Sequence, residues 1–146
     1  MGLFGIYTLF TGTKTDFLKN FKDSDTMYSQ AKTFWAALEN GALFYLMILL
    51  LGILLCWVYY GPFNNLPERH YKPRYWWFFA LANLFLTLLT TYFVVHSLVP
   101  PRVQGANLIE WRLALGNAVY SSIIYCGVSI IWCKWLPTNA YRYLKF

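Results

Sequence analysis

Residues 41–60 read GALFYLMILLLGILLCWVYY, twenty positions without one formal charge. At about 1.5 Å per residue, a helix of this length is about 30 Å long, the thickness of a bilayer's hydrocarbon core. Two further runs have the same character. Residues 75–99 (YWWFFALANLFLTLLTTYFVVHSLV) carry no Asp, Glu, Lys or Arg, and the run from residue 113 carries none until Lys134. Composition agrees: 58% of the chain is hydrophobic and 12% charged, against about 25% charged in a soluble domain. Disorder is excluded and an ordinary soluble globule fits poorly. The sequence predicts an all-α membrane protein with three transmembrane helices, preceded by an amphipathic N-terminal helix.

The expected organisation has three parts: an extramembrane or interfacial segment over residues 1–40, a three-helix transmembrane unit over 41–136 with spans at about 41–60, 75–99 and 113–134, and an extended basic, aromatic tail over 137–146. Prolines punctuate it. Pro73 suits a first helical turn, while Pro100, Pro101 and Pro137 cannot continue a helix. The first loop contains Pro62, Pro67 and Pro73 and is expected to be short and stiff, with a tight turn at Gly61-Pro62. Asn107 stands three residues before Glu110, the spacing of a capping box, which starts the third helix near Leu108 with Trp111 and Arg112 at the interface.

Upstream of the first span, Met27, Ala31, Phe34, Trp35 and Leu38 recur at helical spacing, with Ser24 or Asp25 as N-cap. The helix so formed is either a membrane-surface or docking element or the extramembrane turns of the first span. Residues 14–25 alternate in charge and read as loop. The apolar run at residues 3–10 is too short, and lacks the basic lead, for a cleaved signal peptide. It reads as an interfacial or partner-contacting segment.

The spans carry two polar seams. Ala80, Asn83, Thr87, Thr90, Val94 and Ser97 follow a 3-4-3-4-3 spacing in the second. Asn117, Ser121, Tyr125 and Ser129 recur every fourth residue in the third, flanked by Ala118, Ser122 and Cys126. Small side chains let helices approach and hydroxyls and amides bond across them, so these are the candidate helix-packing residues. The first span offers only Gly52 and Cys56 as small positions, which leaves much of its surface for lipid or another subunit.

Catalytic, cofactor-binding and metal-binding residues are not expected. His70 and His96 lie 26 residues apart, about 39 Å if helical, too far for axial ligation of one haem. Cys56, Cys126 and Cys133 form no metal or redox motif and read as free, buried thiols. Phosphate-loop, GxSxG and HExxH motifs are absent from the sequence. The net charge of +6 does not gather into the basic stripe that nucleic acid requires.

That charge is one-sided instead. With three spans, the N-terminal segment and second loop share a side, where Lys14, Lys19, Lys22, Lys32, Arg102 and Arg112 face Asp16, Asp23, Asp25, Glu39 and Glu110. The first loop and C-terminal tail share the other, where Arg69, Lys72, Arg74, Lys134, Arg142 and Lys145 face Glu68 alone. Close to the span ends the basic residues number four on the first side and six on the second, which favours a cytoplasmic first loop and C-terminus. Five of the seven tryptophans also fall on the basic side. Trp76, Trp77, Trp132, Trp135, Tyr141, Arg142 and Tyr143 are therefore the candidates for partner or headgroup contact.

These features suit a non-enzymatic membrane subunit that anchors or scaffolds a larger complex, such as a secretion or translocation assembly. Its partners would be the lipid bilayer and other membrane subunits or copies of itself. In span count and charge layout the chain also resembles the three-span phage holins, which implies a homo-oligomeric membrane-permeabilising alternative; the long aromatic N-terminal segment departs from their short form. A small transporter or channel accessory subunit is a third reading, weakened by the lack of a charge in mid-membrane. The charge asymmetry gives a first prediction. With the native cysteines replaced by alanine, Asn65→Cys should react with a membrane-impermeant thiol reagent only from the cytoplasmic side, and Gly105→Cys only from outside; the reverse pattern inverts the topology.

Overall fold

The computed structural model describes residues 3–66, 72–98, 103, 105–136, 138, 140 and 144, and no strand occurs among them. A 3-10 turn at Leu3–Tyr7 leads into three short or amphipathic helices and then the long ones. The α-helices are α1 (Thr8–Thr11), α2 (Lys14–Lys19), α3 (Asp25–Asn40), α4 (Ala42–Val58), α5 (Pro73–Leu98) and α6 (Ala106–Trp135). Three helices are long and apolar enough to cross a membrane: Ala42–Phe63, Pro73–Ser97 and Ala106–Trp135. The chain is thus an all-α membrane protein with an amphipathic helix ahead of three spans. At 30 residues, α6 is about 45 Å long and exceeds the hydrocarbon thickness by several turns.

Local boundaries depart from the sequence reading in three places. Residues 14–19 form α2 instead of loop, because Thr13 caps it by accepting from the Asp16 amide and donating to the Asp16 carboxylate, while Lys19 pairs with Asp16 at 3.1 Å. These contacts hold the exposed Asp16 carboxyl below its ordinary pKa, the Thr13 hydroxyl first and Lys19 second. Gly61 and Pro62 do not make a tight turn. They lie in a π-helical turn, Tyr59–Phe63, that prolongs α4; its exit is held by the Asn64 side-chain amide donating to the Tyr59 carbonyl. The third long helix begins at Ala106, after Gly105 at φ +82°, so Asn107 is already inside it and the capping box does not form. Ser24 is the α3 N-cap by backbone position but makes no side-chain capping bond.

Contacts cluster into two units. The first comprises residues 1–48 and 88–117. In it, Ala31, Phe34, Trp35 and Leu38 bury the apolar face of α3, leaving Met27 about half exposed. The cover is the N-terminal segment: Phe4 meets Trp35 edge-on at 5.9 Å, and Phe17 packs on both Phe34 and Trp35. Trp35 Nε1 donates to Glu39, which also pairs with Lys14 at 3.2 Å. The N-terminal apolar run thus packs in part on its own chain, while Ile6 and Leu9 stay exposed. Phe4 and Tyr7 are buried, and the Phe10 ring lies where a side chain at Gly116 would stand. A tight backbone passage at Gly41, beside the Tyr45 ring, separates α3 from α4.

The second unit comprises residues 49–87 and 118–146. Its core gathers Cys56, Tyr59, Tyr60, Trp76, Phe79, Tyr125, Cys133 and Ala140, with Leu144 packed against it. The tail thus folds back in part: Ala140 is buried, and Thr138 Oγ1 donates to the Tyr60 carbonyl at 3.3 Å. Along α4 the buried positions Leu49, Gly52, Cys56 and Tyr59 keep a 3-4-3 spacing, while Leu50, Ile53, Leu54 and Trp57 are exposed. Gly52 is the most crowded glycine described in this unit, since a Cβ there would sit 2.8 Å from the Ser121 carbonyl oxygen. Gly52→Ala should destabilise the fold by about 1–3 kcal/mol through forced separation. Gly127→Ala, with nothing within 4 Å of the added carbon, should be neutral or stabilising by up to about 1 kcal/mol. Reversible denaturation in mixed micelles compares the two.

Candidate functional site

Polar side chains inside the spans draw the site, because each must find a partner away from water. In the first unit the centre is Asn117 of α6, wholly buried. Its Oδ1 accepts from the Tyr7 hydroxyl at 2.8 Å, and its Nδ2 donates to the Tyr45 carbonyl at 3.1 Å and to Thr91 Oγ1 at 2.8 Å. One amide thereby ties the N-terminal segment, α4 and α5 to α6, with both donor hydrogens and the acceptor engaged.

The same unit holds a buried carboxylate. Glu110 is completely inaccessible, and its Oε2 lies 3.0 Å from Nδ1 of His96, whose side chain is 30% exposed. The His96 ring stacks on Tyr92, and Tyr92 stacks on Trp111 at 4.4 Å. Glu110 Oε1 and the Tyr45 hydroxyl are buried without hydrogen-bond partners. Burying a carboxylate costs several kcal/mol, and the imidazole at 3.0 Å gives Glu110 Oε2 a hydrogen-bonding partner. The sequence assigned Glu110 to capping; the structure instead buries it close to the start of α6.

Two centres occupy the second unit. Ser121 Oγ donates to Asn83 Oδ1 at 3.0 Å and accepts from Thr87 Oγ1 at 3.2 Å. Ser129 Oγ accepts from Trp76 Nε1 at 2.9 Å and bonds the Tyr60 hydroxyl, which also reaches Cys133 Sγ at 3.2 Å. Tyr125 is buried against Trp76, with ring centroids 5.6 Å apart and its hydroxyl directed at the Trp76 carbonyl. All three cysteines are free thiols.

Of the sequence-predicted packing residues, Asn83, Thr87, Asn117, Ser121, Tyr125 and Ser129 are buried. Ala80 is half-buried against the second unit's core, and Ser122 turns back to the Ala118 carbonyl of its own helix. Thr90 and Ser97 are corrected: both are exposed, and Ser97 bonds the Val94 carbonyl. Beyond Thr87 the buried row on α5 continues every fourth residue through Thr91 and Val95, the same spacing that α6 uses. Rows of every fourth residue are the ridges that helices interlock, whereas the 3-4 seam suits a supercoil.

The aromatic set divides. Trp77 and Trp135 are 50% and 68% exposed, as contact residues would be. Trp76 is not available for contact, being 4% exposed and bonded to Ser129. Trp132 is half-buried and stacked on Tyr60 at 5.7 Å. Tyr141, Arg142 and Tyr143 lie outside the described residues. Sequence reasoning missed Tyr7, Tyr45, Tyr60, Thr91 and Glu110. A signal existed for Glu110, which stands seven residues before Asn117 and so shares its helix face.

Among the described residues, no group of three or more His, Cys, Asp or Glu is placed to hold a metal ion. Comparison with family models, curated proteins and solved structures yields no match. The arrangement's chemistry is that of interhelical bonding, and it makes Asn117 the most consequential side chain. Interhelical bonds in membranes contribute on average about 0.6 kcal/mol each and up to about 1.7. Asn117→Leu, losing three, should cost about 2–3 kcal/mol in a reversible unfolding assay, whereas Ser122→Ala should cost under about 0.5 kcal/mol. Equal losses would remove Asn117 from this role.

Proposed function

We propose that the chain is a non-enzymatic integral membrane subunit that anchors or assembles a larger membrane complex, with a secretion or translocation assembly as the type of setting. The observation that carries this reading is the engagement of Asn117, Ser121 and Ser129. The hydroxyls and amide that would be candidate reactive groups are spent on holding helices together. What the chain then offers its surroundings is surface: broad apolar faces on all three spans, including Phe44, Met47, Phe85, Phe93, Ile123 and Ile131, with Trp77 and Trp135 exposed nearby in sequence to basic residues. Such faces serve lipid, other subunits or further copies of the chain.

In this reading the first loop and C-terminus face the cytoplasm, and Trp77, Trp135 and the Tyr141–Arg142–Tyr143 sequence meet headgroups or a docked protein. The three segments at residues 1–40, 41–136 and 137–146 act as a surface-facing, a membrane and a contact portion. A mild-detergent extract of the native membrane should yield the chain with other proteins at fixed stoichiometry. Recovery solely as its own oligomer, together with collapse of membrane potential on expression, would instead support the permeabilising alternative and overturn the scaffold.

A further inference from the structure

A cleft of about 470 Å³ opens in the second unit between Phe63, Arg74, Tyr75 and Phe78. Its position is set by the span ends: Phe63 closes the first candidate span and Pro73 opens the second, so the cleft lies where hydrocarbon gives way to headgroups. Phe63 and Tyr75 meet edge-on at 5.2 Å and form an aromatic wall. The Arg74 guanidinium lies over the Tyr75 ring at 5.1 Å, with Nη2 3.4 Å from the hydroxyl, and has no carboxylate partner among the described residues.

Charge selects the occupant. In the sequence of this unit the one acidic residue, Glu68, stands against Arg69, Lys72, Arg74, Lys134, Arg142 and Lys145. The start of α5 adds its positive dipole end beside Arg74. A phosphate is the complementary group, and a guanidinium takes its oxygens in pairs. Shape favours a lipid over free phosphate: Phe78, Leu81 and Phe85 lead from the cleft along one exposed face of α5, each more than half exposed, at the spacing an acyl chain would follow into the hydrocarbon.

We propose that the cleft formed by Phe63, Arg74, Tyr75 and Phe78 binds one anionic phospholipid, Arg74 holding the phosphate and the Phe78–Leu81–Phe85 face carrying an acyl chain. This goes beyond the scaffold reading and stands or falls without it, since it needs the bilayer and no protein partner.

The test is native mass spectrometry of the full chain released from mixed micelles containing phosphatidylglycerol and phosphatidylcholine of identical acyl chains. The wild type should retain one phosphatidylglycerol in preference to phosphatidylcholine. Arg74→Gln should lower that preference about tenfold or more, the factor a hydrogen bond between charged groups contributes, while Lys134→Gln, at a residue that does not line the cleft, should lower it by no more than the roughly fivefold of diffuse attraction to an anionic surface. Equal retention of the two lipids by the wild type overturns the site without reference to any variant. Equal losses in Arg74→Gln and Lys134→Gln overturn it in favour of diffuse attraction. Displacement of the lipid from the wild type by millimolar inorganic phosphate reassigns the cleft to free phosphate.

Discussion

Apolar side chains gain little by leaving lipid for a neighbouring helix, so in this chain the polar groups decide how the helices meet. Helix α6 supplies them at Asn117, Ser121, Tyr125 and Ser129, one per turn on a single row. Their partners lie on other elements: the N-terminal segment, α4 and α5 for Asn117, α5 for Ser121 and Tyr125, and α5 with the π-turn after α4 for Ser129. The first span has no polar row of its own, yet it is bound through a backbone carbonyl at Tyr45 and a hydroxyl at Tyr60. Its Gly52 follows from the same constraint, because Ser121 can sit close only where a side chain is missing.

The spans were legible because length and lack of charge are properties of a continuous run, and they need no knowledge of neighbours. The α6 row was legible for a related reason: a repeat of four residues on a helix identifies a face whatever lies opposite. On α5 the same reasoning worked as far as Thr87 and then chose Thr90 over Thr91, since both are threonines and only the partner's position separates them. Asn117 on α6 is that partner, 26 residues on from Thr91. The N-terminal segment was least legible. Tyr7 and Asn117 are 110 residues apart, and nothing local to residues 3–10 distinguishes an apolar run that docks on its own chain from one that docks elsewhere.

Adjacent tryptophans show how far composition carries. Trp76 and Trp77 are chemically identical and one residue apart, but helical phase places Trp76 on the buried row with Phe79, Asn83 and Thr87, and Trp77 outside it. An aromatic belt counted from sequence therefore merges two populations. One is held by interior hydrogen bonds such as Trp76 to Ser129; the other exposes half or more of its surface to whatever lies outside the chain. Glu110 carries the same lesson for charge. A Glu near a helix start reads as a capping residue, and its helix face, shared with Leu113, Ala114 and Asn117, is what commits it to the interior.

The two units treat charge in opposite ways. In the first, Lys14 pairs with Glu39 and Lys19 with Asp16, His96 lies against Glu110, and the described basic and acidic residues number five each. The second has three described basic residues, Lys72, Arg74 and Lys134, all exposed, and no described carboxylate. Arg74 and Lys134 rest on neighbouring aromatic rings instead, at 5.1 and 5.7 Å. A ring face attracts a cation by about 0.5–1 kcal/mol at an exposed site and leaves its hydrogen-bond donors unspent. Hydrocarbon excludes those donors and water screens them, so the place where they act most strongly is the headgroup layer between, where phosphates are dense and screening is weaker. The surplus charge of the chain is thus not an incidental surface property. On the proposed lipid reading it is the counterpart of an anionic layer outside the chain, as the polar row of α6 is the counterpart of groups within it.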